Sequence, residues 1–260
     1  MTKLYTTQLQ AGLGLIEETR VLLDLWSPGM TTPALQQLAL ESGRFPKVTA
    51  RRLRNIISEC FAPRYLTAAG APATHLKILS AATTSAEINQ FFLLFTCRAN
   101  SILGDFIRDV YWERYASGHS EVNNTDAERF VLRALDDGKT VKRWSESTVR
   151  RVSAYLTGCC ADYGLLDKGT KSVRRIMPCR ITPIMAIYLA YDLHLAGLGD
   201  NALMNHQDWQ LFGLSCDEVR EEFKRLSLKG YFIVQSAGDV TRISWKYTTM
   251  EELCNVLAQG

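Results

Sequence analysis

The chain has 260 residues, 47% of them hydrophobic and 22% charged, with a formal net charge of +3. That length suits one to three domains with real cores, and the composition is that of an ordinary soluble globular protein. A net charge so near zero excludes any partner argument built on overall charge, so local clustering has to carry it.

Leu13, Ile16, Val21, Leu22 and Leu25 predict a helix over 11–27, stopped by Ser27-Pro28-Gly29. Thr32-Pro33 then opens a second helix, with Thr as cap and Pro at the first helical position, ending at Gly43. Residues 44–66 are basic: Arg44, Lys47, Arg51, Arg52, Arg54 and Arg64 stand against Glu59 alone. Leu53, Ile56, Ile57 and Cys60 stripe a helix from Thr49, so residues 32–60 fit a helix-turn-helix pair. Arg51, Arg52 and Arg54 are its candidate DNA contacts, against the alternative of a solvated helix face. No wing follows, because Thr67 to Pro72 is small and uncharged.

Residues 73–117 are strongly helical and too apolar to be surface all round; Phe91, Phe92, Phe95, Phe106 and Ile107 build the core of a helical domain over 1–118. Helical spacing explains these aromatics better than a base-stacking platform does. The small, polar run Ala116 to Asn124 is the expected boundary. Thr125-Asp126-Ala127-Glu128 has the pattern of a capping box for a helix through Leu135. Acids outnumber bases eight to four over 100–137.

The sign then reverses. Residues 139–180 hold ten Lys/Arg and three Asp/Glu. Ser145 or Ser147 caps a helix whose buried stripe is Val149, Val152, Leu156 and Cys159 or Cys160, and which Gly164 ends. Arg150 and Arg151 fall off that stripe near the helix start, the end of a recognition helix that meets bases and phosphates. Leu165-Leu166 begins a strand, Asp167 to Lys171 turns, and Val173 to Ile181 returns. That order reads as a winged helix over 119–181. Lys142, Arg143, Arg150 and Arg151, with Lys168, Lys171, Arg174 and Arg175 of the turn and return, are its candidate DNA contacts, against the alternative of a solvated basic face with no ligand.

The layout repeats over 182–260. Thr182-Pro183 caps a helix to Leu195, Asn205 to Phe212 is a short second helix, and Ser215-x-x-Glu218 boxes a third, striped by Val219, Phe223 and Leu226. Tyr231 to Gln235 and Val240 to Trp245 form a hairpin around Ala237-Gly238-Asp239, and Thr248 to Leu257 closes with a helix. Residues 215–229 carry four bases and four acids, so this second winged-helix module suits packing or protein contact better than DNA.

Catalytic and metal patterns are missing. His75, His119, His194 and His206 lack partners at ligand spacing. Gly138-Lys139-Thr140 resembles the end of a phosphate-binding loop, but Arg133 stands where a Gly is required. No nucleophile signature, cofactor motif or small-molecule site is nominated. The odd set Cys60, Cys97, Cys159, Cys160, Cys179, Cys216 and Cys254 contains no C-x-x-C and reads as reduced core thiols. Met1 to Gln8 lacks the apolar core of a signal peptide, and the most apolar run, Ile184 to Leu195, is too short for a bilayer. A cytoplasmic protein with no membrane partner is expected.

Three stretches also carry a family resemblance: the opening Y-T-T-Q-L-Q-A-G-L-G-L-I-E-E-T-R, the R-R-L-R-N-I-I helix, and the S-T-V-R-R helix with its Y-G-L-L strand. Through most of its length the chain resembles BrxA, the small accessory protein of bacterial BREX phage-defence islands. The resemblance implies a cytoplasmic, largely helical, non-enzymatic protein that binds double-stranded DNA beside other BREX components. It also implies a likeness to the RNA-binding antitermination protein NusB. It supplies no catalytic residues, so the DNA contacts above rest on charge and placement in this chain. The expected protein is mainly α: an N-terminal helical domain followed by two tandem winged-helix-like modules with short hairpins. The rival readings are an RNA-binding factor and a protein–protein scaffold.

Overall fold

In a computed structural model of the chain, residues 4–169, 172–177, 179–237 and 240–259 are described. They are mainly helical, with two small two-stranded antiparallel sheets. The chain divides into two compact units, one of residues 1–74 and 92–179, the other of 75–91 and 180–260.

In the first unit the opening helix is Ile16–Leu25, shorter than the periodicity suggests. Leu13 lies outside it, because Gly12 and Gly14 interrupt the backbone and Leu15 takes a left-handed conformation with φ +49°. Thr32–Glu41 follows, with Pro33 at its start and the Thr31 hydroxyl, not Thr32, accepting from the Ala34 N–H. Thr49 caps Ala50–Asn55 by accepting from Arg52 N. The helix does not stop at Cys60: a π-helical stretch, Ile56–Phe61, carries it into Ala62–Tyr65. Pro63 lacks an N–H and crowds the preceding turn, and a widened turn just before it relieves that conflict. Tyr65, Phe92, Phe95 and Phe61 pack around this point, with ring centroids 5.3–6.0 Å from Tyr65.

The stretch expected as a boundary carries structure. Glu121–Asn123 is a strand, and the cap of the next helix, Asn124–Asp136, is Asn123 rather than Thr125. Asn123 and Asp126 form the capping box reciprocally, at 2.9 and 3.0 Å. That helix packs against Glu146–Asp162, which Ser145 caps. Leu166 bridges Ile176, and Asp167 N donates to Arg175 O at 2.9 Å, so the expected return is present but short. The return strand is Val173–Arg175, and its longer partner is Glu121–Asn123, in antiparallel register with Val122 opposite Arg174. The return strand therefore lies between two neighbours.

In the second unit Thr182 caps Pro183–Leu195, which is buried on nearly every face. The short second helix is displaced: Asp200–Met204 and the 3-10 turn Trp209–Phe212 flank a turn over 205–208. Ser215 and Glu218 form the expected capping box of Cys216–Ser227. Phe232–Ala237 pairs with Val240–Trp245 from Phe232 opposite Trp245 to Ala237 opposite Val240. Gly238 and Asp239, the expected hairpin turn, lie outside the described residues. Met250–Leu257, capped by Thr249, packs on Pro183–Leu195. Phe223, Phe232, Tyr191 and Trp245 form the aromatic centre of this unit.

Candidate nucleic-acid interface

The Glu146–Asp162 helix is built in two halves. Val149, Val152 and Ser153 face inward in the first half, while Glu146, Ser147, Arg150, Arg151 and Ala154 are exposed. From Leu156 to Ala161 every residue is buried. Burial pushes the Cys159 thiol up to about 12 and holds Cys160 well above the ordinary thiol value, so these are inert packing groups. The open half of the helix is thus its N-terminal half, where backbone N–H groups and the helix dipole favour an anion.

Around that open end lie other exposed bases. Lys142 and Arg143 lead into the helix, with Val141 82% exposed beside them. Arg143 pairs with Asp136 at 3.1 Å, and Arg150 pairs with Glu146 one turn back. Such exposed pairs are weak enough to be exchanged for a phosphate. Lys168 and Arg175 are exposed in the turn and return. Asp167 braces that turn: its carboxylate accepts from Arg175 N at 2.9 Å, and its carbonyl accepts from Arg174 Nη1 at 2.9 Å. Arg174 is only 8% exposed, so its charge stiffens the turn instead of facing solvent, which departs from the sequence expectation. Lys171 lies outside the described residues.

The other candidates are separate in sequence but belong to the same unit. Arg51, Arg52 and Arg54 are exposed at the start of the Ala50–Asn55 helix, with Leu53 buried between them. The turn leading to them is braced by Arg44 on Asp24 at 2.9 Å.

Two further surfaces carry mixed charge. A cleft of about 510 Å³ collects Arg114, Arg129, Arg133 and Lys139 together with Asp109, Glu113, Asp126 and Asp137. Arg114 is already committed to the buried Asp126 at 2.7 Å. On Cys216–Ser227, Arg220 pairs with Asp217 and Lys224 with Glu221, each at 2.7 Å, and Arg225 pairs with Glu222. Neither surface offers a phosphate an excess of positive charge. Among the described residues no group of three or more His, Cys, Asp or Glu side chains could hold a metal ion, and no helix is long and apolar enough to cross a membrane. His75, unplaced by sequence, proves to be a core residue bonded to the Tyr188 hydroxyl at 2.9 Å.

A crystal structure of an uncharacterized protein from Magnetospirillum magneticum has the same fold at a TM-score of 0.59 and 13% identity, over 81% of this chain and 99% of that one. No curated protein matches the chain. The BrxA family model matches residues 3–192, which hold both basic helix starts and the intervening helical core. The chain therefore belongs to the BrxA family, and with it to the BREX phage-defence systems.

Proposed function

We propose that this chain is a non-enzymatic, cytoplasmic protein that binds double-stranded DNA in BREX defence and works beside other BREX components. The observation that carries the proposal is the half-exposed Glu146–Asp162 helix. Its buried second half fixes it in the core, and its open first half presents Arg150 and Arg151 to solvent. Lys142, Arg143, Lys168 and Arg175 extend the positive surface on either side in sequence. A strand, two helices and two further arms, with the last strand in the middle of the sheet, is the element order of a winged helix. That order supports reading 119–181 as such a module, with Glu146–Asp162 as its recognition helix and the turn that Asp167 braces as its wing.

The helix Cys216–Ser227 and its hairpin have a comparable layout without the charge excess, since each described ion pair along the helix joins a base to an acid three residues earlier. This favours protein contact for the second unit. Competition between duplex DNA, single strands and structured RNA tests the proposal. Duplex DNA competes best if a helix enters a major groove, which A-form RNA keeps too deep and narrow to admit it. Preference for structured RNA would instead support an RNA-binding factor. Partner binding at high salt with no DNA binding would support a scaffold.

A further inference from the structure

The two basic helices run, at their other ends, into one loop. Arg64, near the end of the helical run that begins with Arg51 and Arg52, is 3% exposed. Its guanidinium donates to the carbonyls of Gly12, Leu13 and Gly14 at 3.1, 3.0 and 3.5 Å. From the other side, the last residues of the Arg150 helix hold the same loop. Asp162 Oδ2 accepts from Gly14 N at 2.8 Å, and the Tyr163 hydroxyl donates to Gly14 O at 3.3 Å. A side chain on either glycine there would force a neighbour to shift. A Cβ on Gly14 would lie 2.6 Å from Asp162 Cβ, and one on Gly12 would lie 2.2 Å from Leu15. Leu15 itself stays in a left-handed conformation, a strained state that persists only where its surroundings dictate it.

We infer that this Arg64–Asp162 clamp joins the two basic helix starts into one composite surface, which a single DNA duplex spans. The inference rests on the DNA-binding reading above. Each helical run is about 25 Å long at 1.5 Å per residue. With both far ends fixed on one short loop, the basic starts lie no more than about 55 Å apart, about 16 base pairs of duplex at 3.4 Å each. One bound duplex can therefore reach Arg51, Arg52 and Arg54 as well as Arg150 and Arg151. Arg64 is a positioning residue, since its guanidinium is buried, donates through both Nη atoms to backbone carbonyls, and is out of reach of a phosphate. A clamp that fixes the helices' relative position sets the effective concentration of the second contact once the first has formed.

The test measures affinity by anisotropy for duplexes of about 8 and about 24 base pairs, divided by the number of binding registers each offers. The native chain is expected to bind the longer duplex about 10- to 100-fold more tightly per register. Arg51→Glu with Arg52→Glu, or Arg150→Glu with Arg151→Glu, should each remove that excess and change short-duplex affinity by no more than about twofold, the share of one of two sites. Arg64→Met should also remove the excess and spare short-duplex binding, and Arg64→Lys should restore part of it. If Arg64→Met fails to fold, the two surface pairs decide alone. Equal per-register affinity on both lengths, or an excess that survives the Arg51/Arg52 reversal, overturns the composite surface while DNA binding stands. Absence of binding to either duplex overturns the DNA reading itself.

Discussion

Reversing both charges at the open start of the Glu146–Asp162 helix is the sharpest perturbation of the proposed site. Arg150→Glu with Arg151→Glu removes two phosphate partners. Each phosphate neutralised releases about 0.9 of a counterion, which at about 0.1 M salt is worth about 1.2 kcal/mol. Two full contacts would contribute about 2.5 kcal/mol, but Arg150 must first leave Glu146, so a range of about 1.5–2.5 kcal/mol is expected. That is about a 10- to 60-fold loss of affinity, with the log–log salt slope shallower by up to about 1.8. The fold should survive. Both side chains are exposed, Val149, Val152 and Leu156 remain buried, and Glu and Arg have similar helix propensity. A new carboxylate one turn after Glu146 costs only about 0.3–0.5 kcal/mol. Fluorescence anisotropy on a labelled duplex of about 24 base pairs, long enough to reach both basic helix starts, across a salt series, with circular dichroism of the variant, measures all of this. A folded variant with unchanged affinity and slope would refute the assignment of the helix start as a phosphate contact.

Further outcomes follow from the same contacts. Arg220→Glu with Lys224→Glu should change duplex affinity less than about threefold, because Asp217 and Glu221 already cancel those charges within a Debye length of about 10 Å; the same anisotropy titration checks it. Gly14→Ala should destabilise the chain by about 1–3 kcal/mol in urea unfolding, since the added methyl meets Asp162. Ser215→Ala should cost about 1 kcal/mol by the same measurement, through loss of the cap on Glu218 N. Burial lowers the His75 imidazole below its ordinary 6.5, so the folded chain holds it neutral against Tyr188 while the unfolded chain protonates. Its contribution is therefore present above about pH 6.5 and is lost as pH falls below that value. His75→Gln should flatten the decline in stability as pH falls below about 6.5, measured by urea midpoints at each pH.

Periodicity and capping chemistry made most of the helices legible. Thr49, Thr182 and Ser215 act as caps because short hydroxyl side chains can reach the second or third N–H of a helix, and that geometry depends on local sequence alone. The Asn123 cap was missed in favour of Thr125, although Asn123-x-x-Asp126 satisfies the same pattern two residues earlier. Glu121–Asn123 was missed because its partner, Val173–Arg175, is distant in sequence, and a three-residue strand has too little alternation to be read. For the site, the stripe Val149, Val152 and Leu156 correctly left Arg150 and Arg151 outside. Arg174 could not be excluded in the same way. In so short a strand, alternation does not say which side faces the core, and the Asp167 carbonyl that receives its guanidinium is a tertiary contact. Arg64 looked like one more base of a basic stretch. Only the fold shows that it turns inward to the Gly12–Gly14 loop.

The central claim is that exposed bases around the Glu146–Asp162 helix bind duplex DNA through its phosphates. The most direct measurement is the affinity of the native chain for a duplex across a salt series from about 0.05 to 0.2 M. With four to six of the exposed bases Lys142, Arg143, Arg150, Arg151, Lys168 and Arg175 engaged, the account predicts a log–log slope between about −3.5 and −5.5. No measurable binding, or binding with a slope near zero, would contradict it.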